Sequence, residues 1–239
     1  MYMAKIGAGD VYIEEPKREV EKENAVDYLI RVAKENSGEI TIVAIAPLTN
    51  IAHCILKNNE FVKNVKRLII MGGSMGKGNI TEFAEFNLYK DPEAARIVFE
   101  AGFKEIVMIG LDVTNKSPLI DKFEDILNNE NDKVAKFLYD ITRKGAVFDR
   151  ESLGLEGFVL HDSLTIAYLL NNGVIKLKDA FVSIITEGEE IGKSVVENNT
   201  ETPNCKVAYE VDRKLFYEIL FNNIFPEKAG EVKEIISGL

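Results

Sequence analysis

ITIVAIAPLTNIAHCILKNNEFVKNVKRLIIMGG, residues 40–73, is the stretch on which the fold turns. Residues 40–46 form a short apolar run rich in Ile and Val, the pattern of a strand buried on both faces. Pro47 ends it, and Thr49 can cap a helix that runs through Ile51 to Leu56. Residues 67–71 form a second apolar strand, closed by Gly72-Gly73. Before this stretch, residues 24–35 place Ala25, Tyr28, Leu29 and Val32 on one helical face, and Ser37-Gly38 stops them. After it, Asp91-Pro92-Glu93 opens a helix with Ala94, Ile97, Val98 and Ala101 inward and Gly102 as the stop. A strand over 105–110 follows, then helices over 119–127, 134–143 and 163–170. The last third reads as strands over 181–186, 193–197 and 206–211, with helices from Arg213 and from Pro226. Strands that alternate with helices in this order predict an α/β fold, a parallel or mixed sheet with helices on both faces. With no internal repeat and no low-complexity linker, residues 1–239 read as one domain.

Composition narrows the function. Lys and Arg number 29 against 39 Asp and Glu, a net charge of −10. That balance opposes a nucleic-acid binder, which needs basic side chains to displace counterions, and an anionic membrane surface. Hydrophobic residues at 46% supply a packed core and exclude disorder. No window holds about 18 consecutive apolar residues, so no membrane span is predicted. Residues 1–15 show neither an apolar signal region nor a small-residue cleavage site. Cys54 and Cys205 have no C-x-x-C partner and read as free thiols in a reducing cytoplasm. With two Cys and two His, zinc is not expected.

In open α/β sheets ligands bind beyond the carboxyl ends of the strands. The richest such segment is MGGSMGKGNITEFAEFNLYKDP, residues 71–92. Its glycines allow close backbone approach. Asn79, Glu85 and Asn87 supply one carboxylate and two carboxamides, a set suited to vicinal hydroxyls on a sugar. The same segment also reads as a Gly-rich loop whose Asn side chains bond their own backbone. Asp91, before Pro92, reads as a structural helix cap. His161-Asp162 has two readings as well. Asp162 caps the helix that follows, or the imidazole delivers a proton while the carboxylate binds a hard metal or a hydroxyl.

VAIAPLTNIA (43–52), the Gly-Asn-Glu-Asn segment from Met71 to Ala95, GLDVT (110–114), the Gly157-Phe158 to His161-Asp162 segment and the stretch from Pro203 to Asp212 occur in one order along the chain. Together they resemble the inosine–uridine-preferring nucleoside hydrolases, from about Gly7 to the last helix. The resemblance implies an open, mixed, mostly parallel sheet and hydrolysis of the N-glycosidic bond of ribonucleosides at a bound calcium ion (Ca2+). It implies that Asn79, Glu85 and Asn87 bind the ribose, with Met71 beneath the sugar. It also implies that Asp162 touches both calcium and ribose, that Ile45 offers its backbone carbonyl to the metal, and that His161 is the catalytic acid for the leaving base. An oxocarbenium-like transition state fits such a ring of oxygens.

The sequence also departs from the family pattern. The family begins with a strand ending in D-x-D-x-x-x-D-D, and the twelve Asp residues here form no D-x-D and no D-D. Residues 6–15, IGAGDVYIEE, resemble a segment well inside the pattern, and Met3 stands where a loop His is expected. The chain is therefore expected to start late in the fold, without the first strands and most of the calcium ligands. Three expectations follow. Calcium is bound weakly or not at all, and the chain alone does not hydrolyse nucleosides. A nucleoside or ribose still binds, in a hydrolase or in a non-catalytic binding protein built on its fold. The uncovered sheet favours a homo-oligomer, a complementary N-terminal fragment as partner, or a makeshift strand from residues 9–14, where Val11 and Ile13 alternate with polar neighbours.

Overall fold

The computed structural model describes residues 11 and 15–239. Met3 and, apart from Val11, the strand expected over 9–14 lie outside the described residues. Two compact units are present, one from residues 20–113 and 175–210, the other from 114–174 and 211–239 with the described residues up to 19.

In the first unit, the Ile/Val-rich runs become β1 (Ile40–Ala44), β2 (Val65–Met71) and β3 (Ile106–Ile109). β4 (Pro118–Ile120) and β5 (Gly157–Val159) belong to the second unit. β6 (Ile175–Ile184), β7 (Ser194–Asn198) and β8 (Cys205–Val211) complete the first sheet. Its order is β1-β2-β3-β8-β6-β7. β1, β2, β3 and β8 run parallel, and β6 pairs β7 antiparallel. The sheet is thus mixed and mostly parallel, as the alternation of elements predicts. Leu68, Ile69 and Ile70 are consecutive and all fully buried, so β2 is covered on both faces. Leu68, Ile70, Ile106 and Met108 share one apolar cluster with Ile51, Cys54, Val98 and Phe99 from the helices Thr49–Lys57 and Pro92–Glu100. Cys54 and Cys205 are free and buried.

Asp91 caps the helix Pro92–Glu100, accepting from the Ala94 N–H at 3.1 Å. Its other oxygen accepts from Thr49 Oγ1 at 2.5 Å. Thr49 therefore does not cap its own helix as expected. Leu48 takes the cap position with no side-chain bond, and the Thr49 hydroxyl finds a carboxylate instead, a stronger acceptor than neutral groups.

The second unit corrects the expected helix over 119–127. β4 pairs antiparallel with β5, Leu119 opposite Phe158, and only Asp121–Phe123 and Glu124–Leu127 are helical. Gly157 makes this pairing possible, because a Cβ there would lie 2.0 Å from the Leu119 carbonyl oxygen. The helix expected over 134–143 extends over Lys133–Leu153, capped by Asp132. Phe123 stacks on Phe221 at 4.3 Å between ring centroids and lies 4.8 Å from Tyr217. The Tyr217 hydroxyl donates to the Pro118 carbonyl at 2.5 Å, so the buried phenol is satisfied. No helix among the described residues is long and apolar enough to cross a membrane.

The Asp91 carboxylate joins two helices of the first unit. Asp91→Ala removes a cap and the Thr49 bond, and should lower stability by about 1–2 kcal/mol. Chemical denaturation measures it, and Thr49→Val should cost less because the cap survives.

Candidate active site

Ala44 pairs with Ile70 in the parallel register of β1 and β2. The next residues, Ile45 and Met71, therefore stand at one level at the carboxyl ends of neighbouring strands. Ile45 is 46% exposed, while Met71 is buried. From Met71 the chain enters the glycine-rich segment, which doubles back on itself. Gly78 N–H donates to the Glu82 carbonyl at 3.0 Å and Asn79 N–H to the Ala84 carbonyl at 3.1 Å. A Cβ at Gly78 would lie 2.1 Å from the Ala84 oxygen, so only glycine permits this approach.

Glu85 ends the segment as the cap of the helix Phe86–Lys90. Its carboxylate is buried, and it accepts from three backbone N–H groups. Oε1 takes Asn87 at 2.9 Å, and Oε2 takes Gly73 at 3.1 Å and Leu88 at 3.3 Å. Asn87 Nδ2 donates to the Met71 carbonyl at 3.1 Å and approaches its sulfur at 3.4 Å. Asn79 Oδ1 accepts from the Phe86 N–H at 2.9 Å. Met71, Asn79, Glu85 and Asn87 thus form one backbone-linked cluster. The side chains bond the local backbone, as one of the two readings expects, and hydrogen-bonding capacity remains. With that hydrogen-bond assignment, the Asn79 amide N–H groups and the Asn87 carbonyl have no partner among the described residues. An exposed donor and a nearby acceptor suit a diol.

Two supports carry no signal in the sequence. Asp112 Oδ2 accepts from the Met75 N–H at 2.7 Å. Ser194 Oγ accepts from the Ser74 N–H at 2.9 Å and donates to the Ser74 carbonyl at 2.8 Å. Asp112 lies in the GLDVT motif, whose spacing alone gives no role. Ser194 is 120 residues from Ser74.

His161 and Asp162 belong to the second unit and open the helix Gly157 leads into, His161–Leu170. Asp162 does not cap it: Leu160 holds that position without a side-chain bond. The Asp162 side chain has no hydrogen bond or ion pair among the described residues, and burial raises its pKa. His161 Nδ1 lies 2.8 Å from Thr114 Oγ1. Burial pushes its imidazole down to about 4, so the ring is neutral near neutral pH.

This shift fixes a sign. An unfolded chain gains the His161 proton near the ordinary value of 6.5, and the folded chain only near 4. Between those values the unfolded state binds more protons, so stability falls as the pH drops through that window. Above it, His161 adds no pH dependence. From about pH 7 to about pH 5, His161→Gln should lose less stability than the wild type, read from urea midpoints. An equal loss in both proteins contradicts this.

The chain matches the sequence pattern of the family described as inosine-uridine preferring nucleoside hydrolase over residues 2–218. It is 37% identical over 204 residues to a pyrimidine-specific ribonucleoside hydrolase, RihA, of Enterobacter sp. strain 638, covering 82% of this chain and 64% of that protein. The corresponding Salmonella paratyphi C protein is 36% identical over 217 residues, 86% of this chain and 68% of that one. The chain therefore spans about two thirds of the length of these curated relatives. Among solved structures, a purine-preferring ribonucleoside hydrolase from Gardnerella vaginalis aligns with TM-score 0.85 and 30% identity, over 95% of this chain and 72% of that one. A plant nucleoside hydrolase aligns with TM-score 0.82 and 30% identity, over 96% of this chain and 72% of that one. The fold, the order of its motifs and these matches agree, and the chain belongs to the inosine-uridine preferring nucleoside hydrolase family.

Proposed function

We propose that this chain recognises a ribonucleoside through its ribose, in the manner of an enzyme that hydrolyses the N-glycosidic bond to base and ribose. The observation that carries the reading is the cluster after β2, where Asn79 and Asn87 keep a donor pair and an acceptor beyond their backbone bonds. Met71 serves as the apolar floor beneath the sugar, and Glu85 fixes the Asn87 backbone and adds carboxylate oxygens for a hydroxyl. Asp162 is assigned to a ribose hydroxyl and His161 to the leaving base. The relatives include pyrimidine-specific and purine-preferring enzymes, so the proposal extends to ribonucleosides of either base class.

Family membership implies calcium, and Asp162 and the Ile45 carbonyl are the residues assigned to it. Calcium takes about 6–8 oxygen ligands. Among the described residues no three His, Cys, Asp or Glu side chains gather in one place. These residues do not fit a calcium site. We therefore propose that the chain by itself binds nucleoside without turnover of inosine or uridine. Sugar recognition through amides and hydroxyls needs no metal.

Calorimetry with inosine and uridine, alongside a reducing-sugar assay, tests this. Binding without turnover is expected. Asn79 is exposed, so Asn79→Ala should weaken binding about tenfold while costing under about 1 kcal/mol of stability. Glu85→Ala should lose binding as well, but with about 2–3 kcal/mol of stability, because three backbone donors lose their acceptor. Absence of nucleoside binding, or turnover that Asp162→Ala abolishes, overturns the proposal.

A second part of the proposal concerns assembly. β1 forms one edge of the six-stranded sheet, and four of its five residues are only partly covered. An Ile/Val-rich parallel edge is a template for another strand. We propose that a second copy of this chain or a separate strand-bearing chain pairs with it. Light scattering should report a dimer or larger species. A monomer at all concentrations, with β1 amides that exchange rapidly, rejects pairing between copies.

A further inference from the structure

We propose that Thr114 is a positioning residue for His161: its hydroxyl donates to Nδ1 and commits the ring to the tautomer that carries its proton on Nε2. The use of that proton, a hydrogen bond to a nitrogen or oxygen of the departing base, rests on the ribonucleoside reading above. The tautomer itself does not.

Thr114 is 1% exposed, the last residue of the short helix Leu111–Thr114, and lies with His161 in the second unit. Its carbonyl accepts from the Ser117 N–H at 3.1 Å and from Ser117 Oγ at 3.2 Å. The hydroxyl takes no part in those bonds. Among the described residues its one partner is His161 Nδ1, at 2.8 Å. Two arrangements are open to this pair. If Nδ1 carried a proton and donated to Oγ1, the buried Thr114 O–H would have no acceptor. If Oγ1 donates to Nδ1, the buried Thr114 proton is satisfied, and the donor left over is the Nε2–H of His161, a residue that is only half-buried. An unsatisfied buried donor is the costlier defect. The second arrangement therefore holds, and the mobile imidazole proton resides on Nε2, across the ring from Thr114.

A hydroxyl is well suited to the task. A carboxylate at this position would also orient the ring, but it would draw a second proton onto it and hold it as a cation. Threonine selects the nitrogen without selecting the charge. Its β-branch restricts χ1, so the hydroxyl direction is set by the backbone of one short helical turn. The neighbouring Ser117 bonds fix that turn from the other side. GLDVT, whose threonine had no role from spacing alone, thereby acquires one.

The test is made on the full chain without nucleoside. Long-range 1H–15N correlation of the imidazole nitrogens separates the two tautomers, and His161→Gln assigns the signals against those of His53. The wild type should show Nε2 protonated and Nδ1 bare at neutral pH. Thr114→Val, of nearly the same volume, should shift the ring toward a tautomer mixture. Thr114→Ser should restore the wild-type pattern. Circular dichroism checks that each variant folds, and if Thr114→Val does not fold, the wild type and Thr114→Ser decide by themselves. A wild-type ring protonated on Nδ1, or a folded Thr114→Val ring with the wild-type tautomer, overturns the proposal. Failure of inosine and uridine to bind would reject the ribonucleoside reading and leave the tautomer result standing, so the two failures are distinguishable.

Discussion

The Glu85 carboxylate is the constraint on which the site depends. A buried carboxylate is unfavourable unless hydrogen bonds replace its water. Here the Gly73, Asn87 and Leu88 N–H groups do so. One of those donors lies just past the end of β2, and two lie in the first turn of the helix Phe86–Lys90. The carboxylate therefore locks the exit of a strand to the entrance of a helix. Everything between them, from Ser74 to Ala84, is a loop with both ends fixed. Asn87, held in that turn, reaches back to Met71. The floor and two walls of the proposed sugar site are thus consequences of one buried carboxyl group.

Inside that closed loop, structure and recognition use different atoms of the same side chains. Asn79 gives its oxygen to the Phe86 N–H and keeps its amide protons. Asn87 gives its amide protons to Met71 and keeps its oxygen. Each carboxamide has a donor end and an acceptor end, so one end can anchor while the other faces a ligand. An aliphatic side chain could not be divided in this way. Asp112 and Ser194 complete the anchoring at Met75 and Ser74, so the stretch before Asn79 is tied down as well. Of the two readings left open by composition, the loop that bonds its own backbone is the one seen, and it does not exclude a loop that also binds something. The backbone bonds are what make a polar loop stiff enough to present fixed groups.

The sheet was legible because apolar runs of Ile and Val between glycines and caps have few other uses. β1, β2 and β3 fall within the expected runs or a residue or two of them, and Asp91 is the cap that Asp-Pro-Glu announces. The errors have local physical causes. Leu119 and Ile120 fit a helical face, and only the distant Gly157 reveals that they pair as a strand. Thr49 looks like a cap because Ser/Thr before an apolar run usually is one, yet Asp91, 42 residues away, offered a better acceptor. The polar residues of the candidate site, Asn79, Glu85 and Asn87, stood out by type. Their supports, Ser194 and Thr114, did not, because a serine or threonine acquires its meaning only from the partner the fold brings to it. The roles proposed for Asn79, Glu85 and Asn87 come from the family resemblance; spacing alone could not give them.

At the opening of the helix His161–Leu170, burial acts on two neighbours in the same sense. It lowers the imidazole pKa and raises that of the Asp162 carboxyl, so each is drawn toward its neutral form. A neutral imidazole differs from a cationic one in how it treats a leaving base. A cation attracts polar groups in the ground state as well as in the transition state, and uniform attraction does not accelerate a chemical step. A neutral N–H bonds only modestly to an uncharged base. The same bond strengthens as negative charge gathers on the base while the glycosidic bond lengthens, because a hydrogen bond to an ionised acceptor is about twice as strong. For hydrolysis of an N-glycosidic bond, that difference is the useful quantity. It requires that the proton already sit on the nitrogen nearer the base, since a neutral ring has one N–H to offer. The choice of nitrogen then matters as much as the pKa, and in this chain it falls to a buried threonine hydroxyl with no other acceptor.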